Sequence, residues 1–90
     1  MELSEGKAMA HLTRSPKQLG AYVRRARVQR GLTQQALADL VGTGQKTVSK
    51  IERGHAGTRL DTLFSVLAAL DCDMQIGPRS KGGKDIREIF

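Results

Sequence analysis

The stretch from Leu32 to Gly54, LTQQALADLVGTGQKTVSKIERG, constrains the fold more than any other part of the chain. It holds two short apolar-periodic segments separated by glycine. Thr33 precedes the first segment as an N-cap, a hydroxyl able to accept from the free amides of a first helical turn, and Leu32 stands before it as a hydrophobic staple. Ala36, Leu37, Leu40 and Val41 recur at spacings that put them on one helical stripe, and Gly42 is a stop. After Thr43 a second periodic segment runs from about Gln45 to Arg53, with Val48 and Ile51 inward and Gly54 at its end.

Two further helices flank this pair. Ser15-Pro16-Lys17-Gln18 reads as an N-cap serine, a proline at the first helical position and a glutamine placed for a capping box. Leu19, Tyr22, Val23 and Ala26 then form an apolar stripe that Gly31 terminates. A fourth helix is expected from about Arg59 to Leu70, capped by Thr58 and burying Leu60, Leu63, Phe64, Leu67 and Leu70. Beyond it the period changes: Cys72, Met74 and Ile76 alternate with Asp71, Asp73 and Gln75, the pattern of a half-buried strand. A single strand has unpaired backbone groups, so either a two-fold partner strand completes it or the segment is loosely extended. The expected fold is therefore an all-α helical bundle over residues 15–76 with one short C-terminal strand. A flexible arm (1–14) precedes it, and a glycine-rich tail (77–90) ending in Ile86, Ile89 and Phe90 follows.

Composition removes several functional classes. Ninety residues suit one domain, and an aromatic content of 3% leaves nothing to stack successive single-stranded bases. No run approaches the roughly 18 apolar residues of a membrane span. The lone Cys72 has no intramolecular disulfide partner and no signal segment opens the chain, which suits a reducing cytoplasm. His11, His55 and Cys72 lack metal-ligand spacing, and no serine, histidine and acid combination suggests a nucleophile. The run from Gly42 to Thr47 fails as a phosphate-binding loop, because Asp39 occupies the earlier glycine position and lysine does not follow Gly44 directly. No enzyme, metal or cofactor is expected. Charge is segregated instead: residues 15–60 carry nine basic side chains against Asp39 and Glu52, whereas 61–76 carry only Asp61, Asp71 and Asp73. That asymmetry suits one face for a polyanion and another for a different partner.

The two capped segments and their glycine turn have the lengths of a helix-turn-helix, in which the second helix enters the DNA major groove while the first crosses the backbone. Leu32, Thr33-Gln34, Leu37-Ala38, Gly42 and Ile51-Glu52-Arg53-Gly54 resemble the lambda-repressor-like (XRE or Cro/C1) family, over about residues 17–71. One departure is Gly44, where the family usually has serine or threonine as N-cap; glycine costs only about a few tenths of a kcal/mol there. Side chains at the start of the second helix and one turn on would project into the groove, making Gln45, Lys46, Ser49 and Lys50 base-edge candidates. Gln34 begins the preceding helix, where the dipole favours a phosphate, and the resemblance gives it that role; Thr43, Thr47 and Arg53 are further phosphate candidates. The resemblance also implies that Arg27 pairs with Glu52, locking the first helix to the third. Arg24, Arg25 and Arg30 either touch the DNA backbone or are simply solvated.

The Ser-Pro-x-Gln-Leu start at Ser15 and the Asp-Cys-Asp-Met-Gln-Ile run at 71–76 are similar to HipB-type antitoxins. That resemblance implies a homodimer in which the strand of Cys72, Met74 and Ile76 pairs across the two-fold axis. It also implies autorepression at a palindromic operator in double-stranded DNA and restraint of a HipA-like serine/threonine kinase toxin. Two alternatives stand beside it: a plain repressor without a protein target, and a toxin inhibitor that no longer reads DNA.

Overall fold

The computed structural model describes residues 11–79, which form four helices: α1 (Pro16–Gln29), α2 (Gln34–Val41), α3 (Gln45–Glu52) and α4 (Leu60–Ala69). The termini up to residue 10 and from residue 80, with most of the expected arm and tail, lie outside the described residues. The described part of the arm is exposed, and its His11 ring lies 4.7 Å from that of Tyr22.

Side-chain caps start α1 and α2, and a glycine stops α2. Ser15 Oγ accepts from the Gln18 amide at 3.1 Å, and Pro16 occupies the first turn. The Gln18 side chain reaches one residue further back than a capping box requires, accepting from the Arg14 amide at 2.6 Å. Thr33 Oγ1 accepts from the Ala36 amide at 2.9 Å, and Gly42 ends α2 in the left-handed conformation. α3 begins at Gly44 without a side-chain cap.

α4 begins differently from the expectation. Its N-cap is Arg59, because the Thr58 hydroxyl is used by the preceding turn, donating to the His55 carbonyl at 2.9 Å. Asp61 supplies negative charge to the first turn and accepts from the Thr62 amide at 2.7 Å. At the other end Asp71 takes a left-handed φ of 58°, and the Cys72 amide closes the helix onto the Leu67 carbonyl at 2.8 Å.

α3 packs on both α1 and α2, and α4 packs on α2. Val23, Leu37, Ala38, Val48, Ile51, Leu63, Val66, Leu67 and Leu70 are the buried core, flanked by Leu19, Ala26, Leu32, Val41, Ala69 and Cys72. Three residues expected inside are not: Leu40 is 65% exposed, Leu60 67% and Phe64 50%. The reason is angular. At 100° per residue the buried stripe of α4 is Leu63, Val66, Leu67 and Leu70, so Leu60 and Phe64 share the flank beside it. Leu40 is similarly displaced from the Leu37–Ala38–Val41 face of α2. After α4 no strand forms among the described residues, since a strand needs a ladder and a single chain supplies none here. Cys72 is half-buried, whereas Met74 is 43% exposed and Ile76 93%.

Candidate nucleic-acid interface

α3 separates its residues sharply by face. Val48 and Ile51 are buried, while Gln45, Lys46 and Lys50 are exposed and Thr47 and Ser49 half-buried. An eight-residue helix cannot hold its own conformation in water, so its polar edge stays put only because its apolar edge is seated on α1 and α2.

The seat against α1 depends on Gly20. A Cβ built there would lie 2.3 Å from the Ile51 carbonyl oxygen and 2.7 Å from that of Glu52, so any larger residue would push the end of α3 away. Gly54 works from the other side: its φ is +86°, and a Cβ would meet the Lys17 Cα at 2.7 Å. Gly54 is legible in the sequence as a stop, whereas Gly20 stands at no turn or helix end. The available signal was a glycine inside the apolar stripe of a helix, where it costs about 1 kcal/mol relative to alanine and usually has a packing reason.

A second lock is polar. Arg27 Nε donates to Glu52 Oε2 at 2.6 Å and Nη2 donates to Oε1 at 3.1 Å, with the side chains only 11% and 3% exposed. Arg27 Nη1 also donates to the Leu32 carbonyl at 2.7 Å, tying in the loop before α2. The hydrogen bonds to Glu52 outweigh the opposing effect of burial and hold the Arg27 pKa above its usual value. Gln34 then extends the lock outward: its Nε2 donates to Glu52 Oε1 at 3.0 Å, and its Oε1 accepts from Gln45 Nε2.

The structure thus brings Arg27, Glu52, Gln34 and Gln45 into one connected network spanning α1, α2 and both ends of α3. Lys46 and Lys50 continue the exposed edge of α3. Thr43 is half-buried, its amide bound to the Ala38 carbonyl at 2.9 Å, and Arg53 is exposed at the C-cap of α3. Cys72, Met74 and Ile76 belong to the separate segment after α4; Tyr22 Oη lies 3.6 Å from Cys72 Sγ, whose thiol donates to the Leu70 carbonyl at 3.4 Å. That sulfur contact first, and burial second, push the Tyr22 pKa up. Among the described residues no group of three histidine, cysteine or acidic side chains could hold a metal ion, and no helix is long and apolar enough to cross a membrane.

Two short helices joined at a glycine, the second resting on its neighbours with a cationic polar edge outward, define a DNA-binding class of fold. The family described as Helix-turn-helix matches residues 23–76, and the chain belongs to that family, in its lambda-repressor-like (XRE) form. Within it the chain is similar to the antitoxin HipB of Escherichia coli K12, with 37% identity over 62 residues covering 69% of this chain and 70% of that protein. Two solved structures extend the likeness to three dimensions. A HipB variant in complex with the O2 20mer has a TM-score of 0.74 and 32% identity, covering 80% of this chain and 100% of that one. HipB in a HipA-HipB-O2-O3 complex has a TM-score of 0.73 and 32% identity, covering 79% and 100%.

Proposed function

We propose that the chain is a HipB-like antitoxin, a homodimer that represses its own promoter by binding a palindromic operator and that restrains a HipA-like serine/threonine kinase toxin. The observation that carries this is α3, whose Gln45, Lys46 and Lys50 face solvent while Val48 and Ile51 anchor it. Gln45, Lys46, Ser49 and Lys50 meet base edges; Gln34, Thr43, Thr47 and Arg53 position the protein on phosphates without specifying sequence. The protein acts by binding rather than by catalysis, in the cytoplasm and without a cofactor. Residues 15–76 form the operator-binding and dimerising unit, between the 1–14 arm and the 77–90 tail.

The dimer is supported by what the single chain leaves open. Leu60, Phe64, Met74 and Ile76 are exposed, and an open groove of about 1190 Å³ runs between α1, α4 and the C-terminal segment. A second copy covers this surface by pairing the Cys72–Ile76 segment as a two-stranded lid, which satisfies its backbone groups as well. Two-fold symmetry then sets operator half-sites about 34 Å apart, or a whole turn more.

The test is binding to duplexes from the chain's own control region, with and without the product of the neighbouring gene. Lys46→Ala should weaken the cognate operator by about 1 to 3 kcal/mol and random DNA far less, while Arg53→Ala should weaken both similarly. Binding should also fall steeply with salt as phosphate counterions are released. Equal losses for Lys46→Ala on cognate and random duplexes would remove α3 from base reading, and a neighbouring gene product that does not co-purify would remove the antitoxin role.

A further inference from the structure

Lys17, Arg24 and Arg25 of α1, and Arg30 at its C-cap, are all exposed. Their neighbours sort these four cations into two groups. Arg30 lies 3.8 Å from Asp71, and the charge of Arg25 favours the ionised form of Tyr22. Both therefore look toward the C-terminal segment, which Tyr22 touches through Cys72. Lys17 stands three residues before Gly20 and Arg24 four after it, which puts both on the side of α1 that Gly20 occupies. That side abuts the carbonyls of Ile51 and Glu52, and the backbone of Lys17 lies against Gly54. Arg24 also precedes Arg27 by three residues, and the Arg27 guanidinium reaches Glu52 from the same side. No acid occurs in α1 to offset this edge.

We propose that Lys17 and Arg24 form a phosphate-binding row on α1, which grips the DNA backbone at the wall of the major groove beside the end of α3, while Arg25 and Arg30 take no part in DNA binding. α3 has eight residues and is therefore about 12 Å long, no longer than the major groove is wide. Whatever abuts its C-terminal end meets the sugar-phosphate wall and not the base edges. Arg53 is exposed at that end, and Lys17 and Arg24 carry its charge onward along α1. Among the described residues neither Lys17 nor Arg24 is held in an ion pair, so a phosphate displaces no partner from them, whereas Arg30 would have to leave Asp71. The close backbone approach at Gly20 and Gly54 fixes α1 to α3, so the row and the base-reading edge meet the duplex at a set spacing. Such contacts fix register and orientation and carry no sequence information.

The inference rests on α3 lying in the major groove, as proposed above, and salt dependence separates the two. Affinities are measured by fluorescence anisotropy on operator and random duplexes over a series of salt concentrations. Each phosphate neutralised on B-DNA adds about 0.9 to the slope of log affinity against log salt, and a homodimer carries each substitution twice. Arg24→Gln should therefore lower the slope by about 1.8 on both duplexes, and Lys17→Gln by a similar amount. Arg25→Gln removes the same charge from the same helix and should leave the slope within about 0.5 of the wild type. All three positions are exposed, so the variants fold, which thermal melting verifies. An equal fall for Arg24→Gln and Arg25→Gln would mean that α1 acts only through its overall field, and it overturns the row. A wild-type slope in both Arg24→Gln and Lys17→Gln, with Lys46→Ala still discriminating operator from random DNA, overturns the row and leaves the groove assignment standing. If Lys46→Ala weakens both duplexes equally, α3 is not in the groove and the row beside its end fails with it.

Discussion

The segment from Ser15 to Gly54 and the segment from Leu60 to Arg79 finish their burial to very different degrees. In the first, Val23, Leu37, Ala38 and Val48 are wholly enclosed, the one buried charge pair is bidentate, and only Val28 and Leu40 among the large apolar side chains are left out. In the second, Leu63, Val66, Leu67 and Leu70 are enclosed while Leu60, Phe64, Met74 and Ile76 are not. Charge divides the same way, with the basic excess in residues 15–60 and only Asp61, Asp71 and Asp73 charged in residues 61–76. A segment that has completed its own core presents a finished polar surface, which suits a polyanion. One that has not completed its core requires apolar cover, which suits a second copy of itself.

The largest test of this contrast is Gly20→Ala. If the first segment is closed, there is no room for a methyl group facing the backbone oxygens of Ile51 and Glu52. Overpacking of this kind costs about 3 kcal/mol at the upper end, reduced by the roughly 1 kcal/mol that alanine gains over glycine in a helix. Urea denaturation should therefore show a net loss of about 2 kcal/mol, and operator binding should weaken at protein concentrations where the variant remains folded. A variant as stable as the wild type would mean that α1 and α3 slide past each other easily and that the first segment is not closed.

A smaller effect of a different kind is expected from Ile76→Glu. In the single chain this side chain is almost fully solvated, so its replacement should change the stability of the folded monomer by no more than about 0.5 kcal/mol. In the dimer it would place a charge beneath the two-stranded lid, and self-association measured by analytical ultracentrifugation should weaken at least about tenfold, since an unpaired buried charge is strongly disfavoured. Unchanged association would move the interface away from the Cys72–Ile76 segment. A large loss of monomer stability would show that Ile76 is already covered within its own chain.

The same contrast marks how far the sequence could be read. Ser15 and Thr33 were legible because a cap acts within three residues of itself, and the periodicity of α1 to α4 showed which side chains share a face. Periodicity does not say what lies against that face, so Leu40, Leu60 and Phe64 were assigned to a core that the chain does not build around them. Thr58 looked like a cap because the competing His55 carbonyl belongs to a turn whose shape is not local to the helix. Gly20 was silent for a related reason: its role exists only once α1 crosses the end of α3. The pairing of Arg27 with Glu52, 25 residues apart, came from resemblance, and the Gln34 bridge needs three side chains in place before its direction is defined. What stayed hidden were many-body facts of packing.

The smallest predicted effect lies at the point where the two segments meet, between Tyr22 of α1 and Cys72 after α4. The contact with the Cys72 sulfur, and then burial, raise the Tyr22 pKa above the roughly 10 of a free phenol, so the fold favours the neutral form. With the folded value above the unfolded one, this stabilisation is complete below about pH 10 and is lost as pH rises through the folded pKa. Tyr22→Phe should cost about 1 kcal/mol or less at pH 7 in a urea titration. The deficit should shrink above about pH 10, where only the wild type has a phenol to ionise while Cys72 is common to both. A deficit of constant size across that range would mean that the phenol is not held by the sulfur, and that the two segments are joined by their apolar core alone.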